Sequence, residues 1–167
     1  MADEQNGDGG AETGGDAAGQ PQINVLGQYI KDLSFENPRA PVSLRGPGKN
    51  PNIQVNFNVQ AQAIGGDAYE VALTIEASAK NEDGNLYALE LVYAGGFRLK
   101  DLPQQALRPV LFIECPALLF PFARRLVGDL TREGGFPPLL LDPIDFASLY
   151  RQRVMEDQAS AEKTTIQ

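Results

Sequence analysis

The chain has 167 residues, 43% of them hydrophobic, and 14 Lys and Arg against 22 Asp and Glu give it a formal net charge of −8. That length suits one domain with a real hydrophobic core, and the negative charge argues against a protein that binds nucleic-acid phosphates. The lack of His removes the commonest metal ligand and general base, and a single cysteine, Cys115, excludes an internal disulfide and a multi-cysteine zinc site.

The acidity is concentrated at the two ends of the chain. Residues 1–22 are rich in Gly, Ala, Asp and Glu with no Lys or Arg, so we expect a disordered N-terminal tail. Residues 156–167 are expected to form a second disordered tail, which leaves 23–155 as one folded domain. We find neither a signal peptide nor an apolar run of the ~20 residues that span a bilayer. A cytoplasmic protein without membrane insertion is expected, with Cys115 reduced.

The first part of the domain predicts four β-strands. Tyr29–Glu36 precedes a loop rich in Pro and Gly, and Ile53–Ala63 alternates apolar with amide side chains. The amide-rich face of that strand is either solvated or a contact surface. Tyr69–Ala77 alternates in the same way, and Asn81–Asn85 is typical of a hairpin turn into a fourth strand, Leu86–Ala94.

The fourth strand is apolar on both faces. Such a strand is covered on both sides or buried against another subunit. Gly95-Gly96 is expected to end it, as a bulge or a close approach of backbone.

Helices are predicted after the strands. Leu102–Glu114 is a weak helix that breaks or kinks at Pro109. The next helix ends at Gly134-Gly135, and its predicted apolar face contains Leu119, Phe122, Ala123, Leu126 and Leu130. An extended connector, Phe136–Pro143, leads to a last helix with Asp145 as its N-cap. Strands followed by helices indicate an α+β fold with an antiparallel sheet.

No catalytic constellation is recognisable in the sequence. The dinucleotide, phosphate-binding and serine-hydrolase motifs are absent, and Cys115 has no His to activate it, so a buried structural thiol is predicted. We therefore expect no enzyme, no cofactor and no metal. The apolar content of the fourth strand, the connector and the last helix exceeds what one small sheet can cover, which indicates either self-association or an exposed apolar groove.

Two stretches resemble the protein-export chaperone family SecB. One is KDLSFENPRAP at Lys31–Pro41, with the related strand entry at Asp67–Val71 and with Glu90 ahead of Gly95-Gly96-Phe97. The other is CPALLFPFARRLVGDLTREGGFPPLLLDPIDFASLY at Cys115–Tyr150. The resemblance covers residues 23–155 in order.

This resemblance implies a protomer with a four-stranded antiparallel sheet that assembles as a homotetramer, a dimer of dimers. It also implies a cytosolic holdase that works without ATP. Such a chaperone binds unfolded secretory precursors and passes them to SecA, the translocation ATPase.

Site residues follow from the same resemblance. In the family, acidic residues on the first and fourth strands receive the basic, zinc-bearing tail of SecA, and the matching positions here are Asp32, Glu36 and Glu90. Asp32 and Glu36 share a strand face, because side chains an even number of residues apart on a strand point the same way. Ala88 replaces a bulky apolar residue that is common two positions before Glu90, so part of the apolar contact with SecA is expected to be lost.

A substrate groove is implied between the second strand and the last helix. Its matching positions are Ile53, Val55, Phe57, Phe146, Tyr150 and Val154, with Tyr87 as a further wall residue. The alternative for each is an ordinary core position. Two alternative functions also remain: a holdase on the same scaffold for other clients such as antitoxins, and an oligomeric interaction module without chaperone activity.

Overall fold

A computed structural model describes residues 19–46, 48–49 and 51–164 of the chain. The predicted N-terminal tail lies outside the described residues up to position 18, and so do residues 165–167 of the predicted C-terminal tail.

Four antiparallel strands form one sheet in the order β1-β4-β3-β2. The strands are β1 (Gln22–Glu36), β2 (Asn52–Gly65), β3 (Ala68–Asn81) and β4 (Gly84–Lys100). β2, β3 and β4 follow one another through tight turns, whereas β1 pairs with β4, so β1 and β2 are the two edges. This confirms the predicted α+β fold with a four-stranded antiparallel sheet.

β4 is longer than the sequence predicted. The expected end at Gly95-Gly96 is wrong, because the strand continues to Lys100. Gly95 is instead a point of close packing, since a Cβ atom there would lie 2.9 Å from Cδ2 of Leu119 and 3.0 Å from Cε2 of Phe97. The helix layer approaches the sheet at Gly95, and a larger residue would have to displace it.

One continuous helical rod, Gln104–Glu133, covers the sheet. It consists of α1 (Gln104–Pro109), a π-helical turn (Val110–Glu114) and α2 (Cys115–Glu133). The irregular turn follows Pro109, where the kink was predicted, because proline has no N–H group for the helical ladder.

The face of α2 that packs on the sheet differs in part from the predicted one. Cys115, Leu119, Ala123 and Val127 have no exposed surface, whereas Phe122 is 50% exposed. The buried positions recur every four residues, so Phe122 lies one position off the buried stripe.

The rod is long and apolar enough to cross a membrane by length and composition, contrary to the sequence expectation. Core helices also meet that criterion, and the inner face of this rod packs on β3 and β4. We therefore interpret it as the core helix of the domain.

The connector and the last helix complete the helix layer. Gly134 ends α2, and residues 137–145, where an extended connector was predicted at Phe136–Pro143, form neither helix nor strand. Asp145 starts α3 (Phe146–Thr164), because its Oδ1 accepts a hydrogen bond from the backbone N–H of Ser148 at 3.0 Å. α3 continues to Thr164, so the predicted end of ordered structure at residue 155 falls within this helix and must be corrected.

Candidate functional site: an apolar groove and an acidic sheet face

An apolar groove runs along the edge strand β2 on the helix-facing side of the sheet. It consists of three adjoining cavities of about 210, 460 and 250 Å³. Leu139 lines both the first and the second cavity, and Phe57 lines both the second and the third. The three cavities therefore form one row, with β2 on one side and the connector and α3 on the other.

Two side chains of α2 hold the connector in place as a groove wall. The buried hydroxyl of Thr131 accepts a hydrogen bond from the Leu139 N–H at 2.8 Å and donates to the Val127 carbonyl, 3.0 Å away. Arg124 Nε donates to the Leu141 carbonyl at 2.5 Å. Because the connector has no secondary structure of its own, these contacts satisfy its backbone and fix its position.

Aromatic rings close the first cavity. Tyr87 stacks on Phe35, with ring centroids 5.9 Å apart, and lies 5.0 Å from Phe136. Burial raises the pKa of Tyr87, so its phenol stays neutral.

Aromatic rings also border the third cavity at the other end of the row. Phe112 stacks on Tyr150 at 6.0 Å, and the Arg153 guanidinium lies 5.1 Å above the Phe112 ring. Arg153 also donates to the Val59 carbonyl on β2 at 2.5 Å, which links α3 to the edge strand.

Most residues predicted for the groove lie in its walls: Ile53, Val55, Phe57, Tyr87 and Tyr150. Two do not. Phe146 is 4% exposed and packs edge-on against Phe120 in the core, and Val154 is absent from the residues that line the three cavities. The connector residues Leu139 and Leu140 also line the groove and were not predicted for it. The available signal was the apolar run Phe136–Leu141, which is more apolar than one small sheet can cover.

The opposite, outer face of the sheet carries a group of carboxylates. Strand register places Ser34 directly opposite Glu90, and Glu36 opposite Ala88. A cavity of about 360 Å³ on this face is lined in part by Ser34, Glu36 and Glu90. Asp32 lies on the same face, opposite Val92. The predicted residues Asp32, Glu36 and Glu90 therefore share one surface, which we name the acidic face.

One further carboxylate of the acidic face was not predicted. Glu76 on β3 is the direct cross-strand partner of Glu90, and it lines the same cavity. Like charges in directly opposed positions destabilise a sheet, so this pair favours a cationic partner over the free state. The alternation of β3 was the available signal, because it places Glu76 opposite to the core residue Ile75.

A β-bulge determines which side chains reach the acidic face. Tyr29 pairs with Ala94 and Asp32 with Val92, and the register shifts between Ile30 and Asp32, which leaves Lys31 unpaired. Without that extra residue, the two-residue period that places Tyr29 outside would turn Asp32 toward the core.

Glu70 on β3 accepts hydrogen bonds from side chains of β1 and of β2. Its carboxylate accepts from Lys31 Nζ at 2.5 Å, from the Tyr29 hydroxyl, and from Gln62 Nε2 at 2.9 Å. The bonds from Lys31 and Tyr29 hold the pKa of Glu70 below its usual value, and the same carboxylate raises the pKa of Tyr29 to about 12. The β1 side chains reach Glu70 across Ala94 and Gly96, where β4 carries little or no side chain.

Cys115 is buried in the core of the domain. The Cys115 thiol has no exposed surface, and burial raises its pKa to about 12, so it is protonated, in line with the predicted structural role. Among the residues that the structure describes, none of the His, Cys, Asp and Glu side chains form a group of three that could hold a metal ion.

A second apolar surface lies on the edge strand β1 and on the solvent-exposed side of α2. Its members are all more than a third exposed: Val25, Leu26, Ile30, Leu33, Leu118 and Phe122. An edge strand with exposed apolar side chains tends to pair with another chain. This surface, which we name the β1–α2 surface, is separate from the groove along β2.

The chain matches the family model described as Preprotein translocase subunit SecB over residues 16–157. It is 56% identical to the protein-export protein SecB of Agrobacterium fabrum, over 91% of this chain and 95% of that one. It is also 58% identical to the protein-export protein SecB of Afipia carboxidovorans, over 83% and 86% of the two chains.

Among solved structures, a SecB-like chaperone of Mycobacterium tuberculosis, in complex with an antitoxin peptide, has a TM-score of 0.62. The two chains are 19% identical, and the match covers 73% of this chain and 90% of that one. This likeness supports the same fold.

Proposed function

The chain belongs to the SecB family of preprotein translocase subunits, and from that premise we propose that it is a holdase for preprotein export. It binds unfolded secretory precursors in the cytoplasm and keeps them from folding or aggregating before translocation. The observation that carries the proposal is the continuous row of three cavities along β2, the first two of which are lined mainly by apolar side chains. Such a groove suits an extended polypeptide better than a compact small molecule.

Physical chemistry supplies the mechanism of holding. An apolar segment of an unfolded chain gains roughly 25 cal/mol for each Å² that it buries in the groove, and a folded protein has no such segment to offer. Binding of this kind needs no chemical step, so the proposed activity requires neither ATP nor a cofactor. The groove residues in contact with the client are Ile53, Val55, Phe57, Tyr87 and Tyr150.

We further propose that four protomers assemble as a dimer of dimers through the β1–α2 surface. The exposed apolar side chains of β1 and α2 support this, because a lone protomer would leave them in water. Several grooves in one assembly hold one long chain at several points, so weak local contacts add up to tight binding.

The acidic face is the proposed contact for SecA. Asp32, Glu36 and Glu90 lie on one face of the sheet together with Glu76, and this group of carboxylates suits a basic, zinc-bearing segment. Charge complementarity of this kind speeds encounter and selects the partner more than it adds affinity. The groove and the acidic face are on opposite sides of the sheet, so client and SecA can be bound together.

The first test is size-exclusion chromatography with light scattering, alone and with a chemically unfolded secretory precursor. We expect a mass of about 72 kDa, which is four times 18.0 kDa, and co-elution with the unfolded precursor but not with its folded form. An assembly that ignores the unfolded chain would contradict the holdase and leave an interaction module. A monomer would contradict the proposed assembly.

A second arm measures binding of a synthetic, zinc-loaded SecA tail peptide. Glu90→Gln is expected to weaken that binding, whereas Glu82→Gln, which removes the same charge from the β3–β4 turn, is the matched control. Client binding without SecA binding would assign the protein to a holdase with other clients, such as antitoxins.

A further inference from the structure

The orientation of the acidic face depends on one backbone irregularity in β1. Lys31 is the unpaired residue of the bulge between Ile30 and Asp32. Beyond the bulge, Asp32, Ser34 and Glu36 face outward, and Leu33 and Phe35 face the helix layer. A bulge displaced by one residue would change which side chains reach the acidic face.

Side chains on both sides of the bulge converge on one carboxylate. Lys31 Nζ lies 2.5 Å from Glu70 Oε1, and the Tyr29 hydroxyl donates to Glu70 Oε2. Glu70 is only 13% exposed at its side chain, and it belongs to β3, which is two strands away from β1. The carboxylate thus anchors the bulge from a strand that does not pair with β1.

We propose that Glu70 is a positioning residue for the acidic face. It holds the Lys31 bulge through Lys31 and Tyr29, and thereby fixes the outward direction of Asp32 and its neighbours. The inference rests on the proposed binding of SecA at this face, and it concerns how the site is shaped rather than which residues touch the partner.

A charge-removing variant separates positioning from simple electrostatics. Lys31→Met removes a positive charge next to Asp32, so electrostatics alone predicts tighter binding of a basic peptide. Positioning predicts the opposite. We expect Lys31→Met to weaken binding of the zinc-loaded SecA tail peptide about threefold or more, and Lys31→Arg to retain binding because the ion pair is preserved.

Lys80→Met is the matched control, since Lys80 is an exposed lysine at the far end of β3. It is expected to leave tail binding unchanged or slightly tighter. Glu70→Gln and Tyr29→Phe provide independent tests, and each should weaken tail binding while unfolded-precursor binding stays at the wild-type level. A general loss of folding would lower both activities together, which would overturn a specific positioning role.

Amide hydrogen exchange reports on the bulge without SecA. Lys31→Met and Glu70→Gln should both speed exchange at Ile30–Leu33 more than at the centre of β3. Unchanged exchange there, or tighter tail binding by Lys31→Met, would overturn the inference. Failure of the wild-type protein to bind the tail peptide would instead overturn the proposed SecA contact.

Discussion

At the scale of single residues, the groove side chains have two different surroundings. Val55 and Phe57 pack against the core cluster on one side and are only partly buried. Their open side faces the middle cavity, where Leu139 and Leu140 form the opposite wall. A residue of this kind contributes to stability and to client binding together, so a test must separate the two contributions.

Val55→Asp and Tyr150→Asp are expected to weaken binding of an unfolded precursor by about tenfold each, which is about 1.4 kcal/mol. The introduced carboxylate loses water when a client covers it, and the apolar contact is removed. Fluorescence anisotropy of a labelled unfolded precursor measures the change.

Gln54→Asp is the control for these variants, since it places the same charge on the same strand but on the outer face. It should leave client binding unchanged. Equal loss of precursor and SecA-tail binding in Val55→Asp would show that a core position had been disrupted.

Glu70 gives the stability of the sheet a pH dependence. Its pKa is lowered in the folded chain by Lys31 and Tyr29 on β1, with a further bond from Gln62 on β2. Because the pKa of Glu70 is lower in the folded chain than in the unfolded chain, where it is near 4.5, the ionised carboxylate stabilises the fold fully above about pH 4.5. This stabilisation is lost as the pH falls through the folded-state pKa.

We therefore expect Glu70→Gln to lower the free energy of unfolding at about pH 7 and to differ less from the wild type at about pH 4. Urea unfolding at the two pH values measures this, and Glu82→Gln in the exposed turn should show no such trend. A difference that grows on acidification would contradict the assigned direction.

At the scale of elements, the connector is the least regular part of the groove and depends on specific contacts. Thr131 has no exposed surface, and its hydroxyl is the acceptor for the Leu139 N–H. Replacing the hydroxyl by a methyl group leaves that N–H without this acceptor in a partly buried position. Such a loss costs about 1–3 kcal/mol.

Thr131→Val is accordingly expected to lower the free energy of unfolding by that amount, and to weaken client binding because the Leu139 wall is released. Thr131→Ser keeps the hydroxyl and should preserve client binding. Denaturant unfolding together with precursor affinity tests both, and a Thr131→Val protein that binds clients normally would show that the connector needs no such anchor.

The elements also show what the sequence could predict. Two-residue alternation in Ile53–Ala63 correctly placed Ile53, Val55 and Phe57 on one face, because a strand period depends on the sequence alone. Phe146 was assigned to the groove through the family resemblance, yet it lies against Phe120, because which apolar side of α3 meets the core depends on tertiary packing. The end predicted at Gly95 was wrong for the same kind of reason, since the glycine there accommodates Leu119.

The acidic face, too, was predictable from the sequence only in part. Resemblance supplied Asp32, Glu36 and Glu90, and the strand period indicated that Asp32 and Glu36 share a face. The hairpin predicted at Asn81–Asn85 indicated that β3 and β4 pair, but the structure was needed for the register that brings Glu76 opposite Glu90, because the register shifts between Ala79 and Lys80. Periodicity also could not predict the bulge at Lys31, although the bulge determines which face of the sheet the Asp32 side chain points to.

At the scale of the whole molecule, the proposed contacts for client, SecA and partner protomers lie on three separate surfaces. The β1–α2 surface carries Phe122, which is 50% exposed and stacks on Tyr93 with ring centroids 6.4 Å apart. Phe122→Glu would place a charge in the proposed interface between protomers, where it would have to be desolvated.

We expect Phe122→Glu to reduce the mass in light scattering below that of four protomers. Leu44→Glu changes an equally apolar and more exposed residue, 68% exposed, away from that surface, and should leave the mass unchanged. A Phe122→Glu protein with the wild-type mass would exclude this part of α2 from the interface.

The exposed apolar edge of β1 has a consequence for how the chaperone is made. A protomer outside the proposed assembly displays a strand of 15 residues that pairs with β4 on one side only, with Leu26, Ile30 and Leu33 exposed to water. An edge strand with exposed apolar side chains can pair with another chain, whether a second protomer or an unfolded precursor. If protomers assemble as proposed, we therefore expect newly synthesised subunits to compete with export cargo for the grooves until they pair, so that rapid pairing keeps more grooves free for cargo.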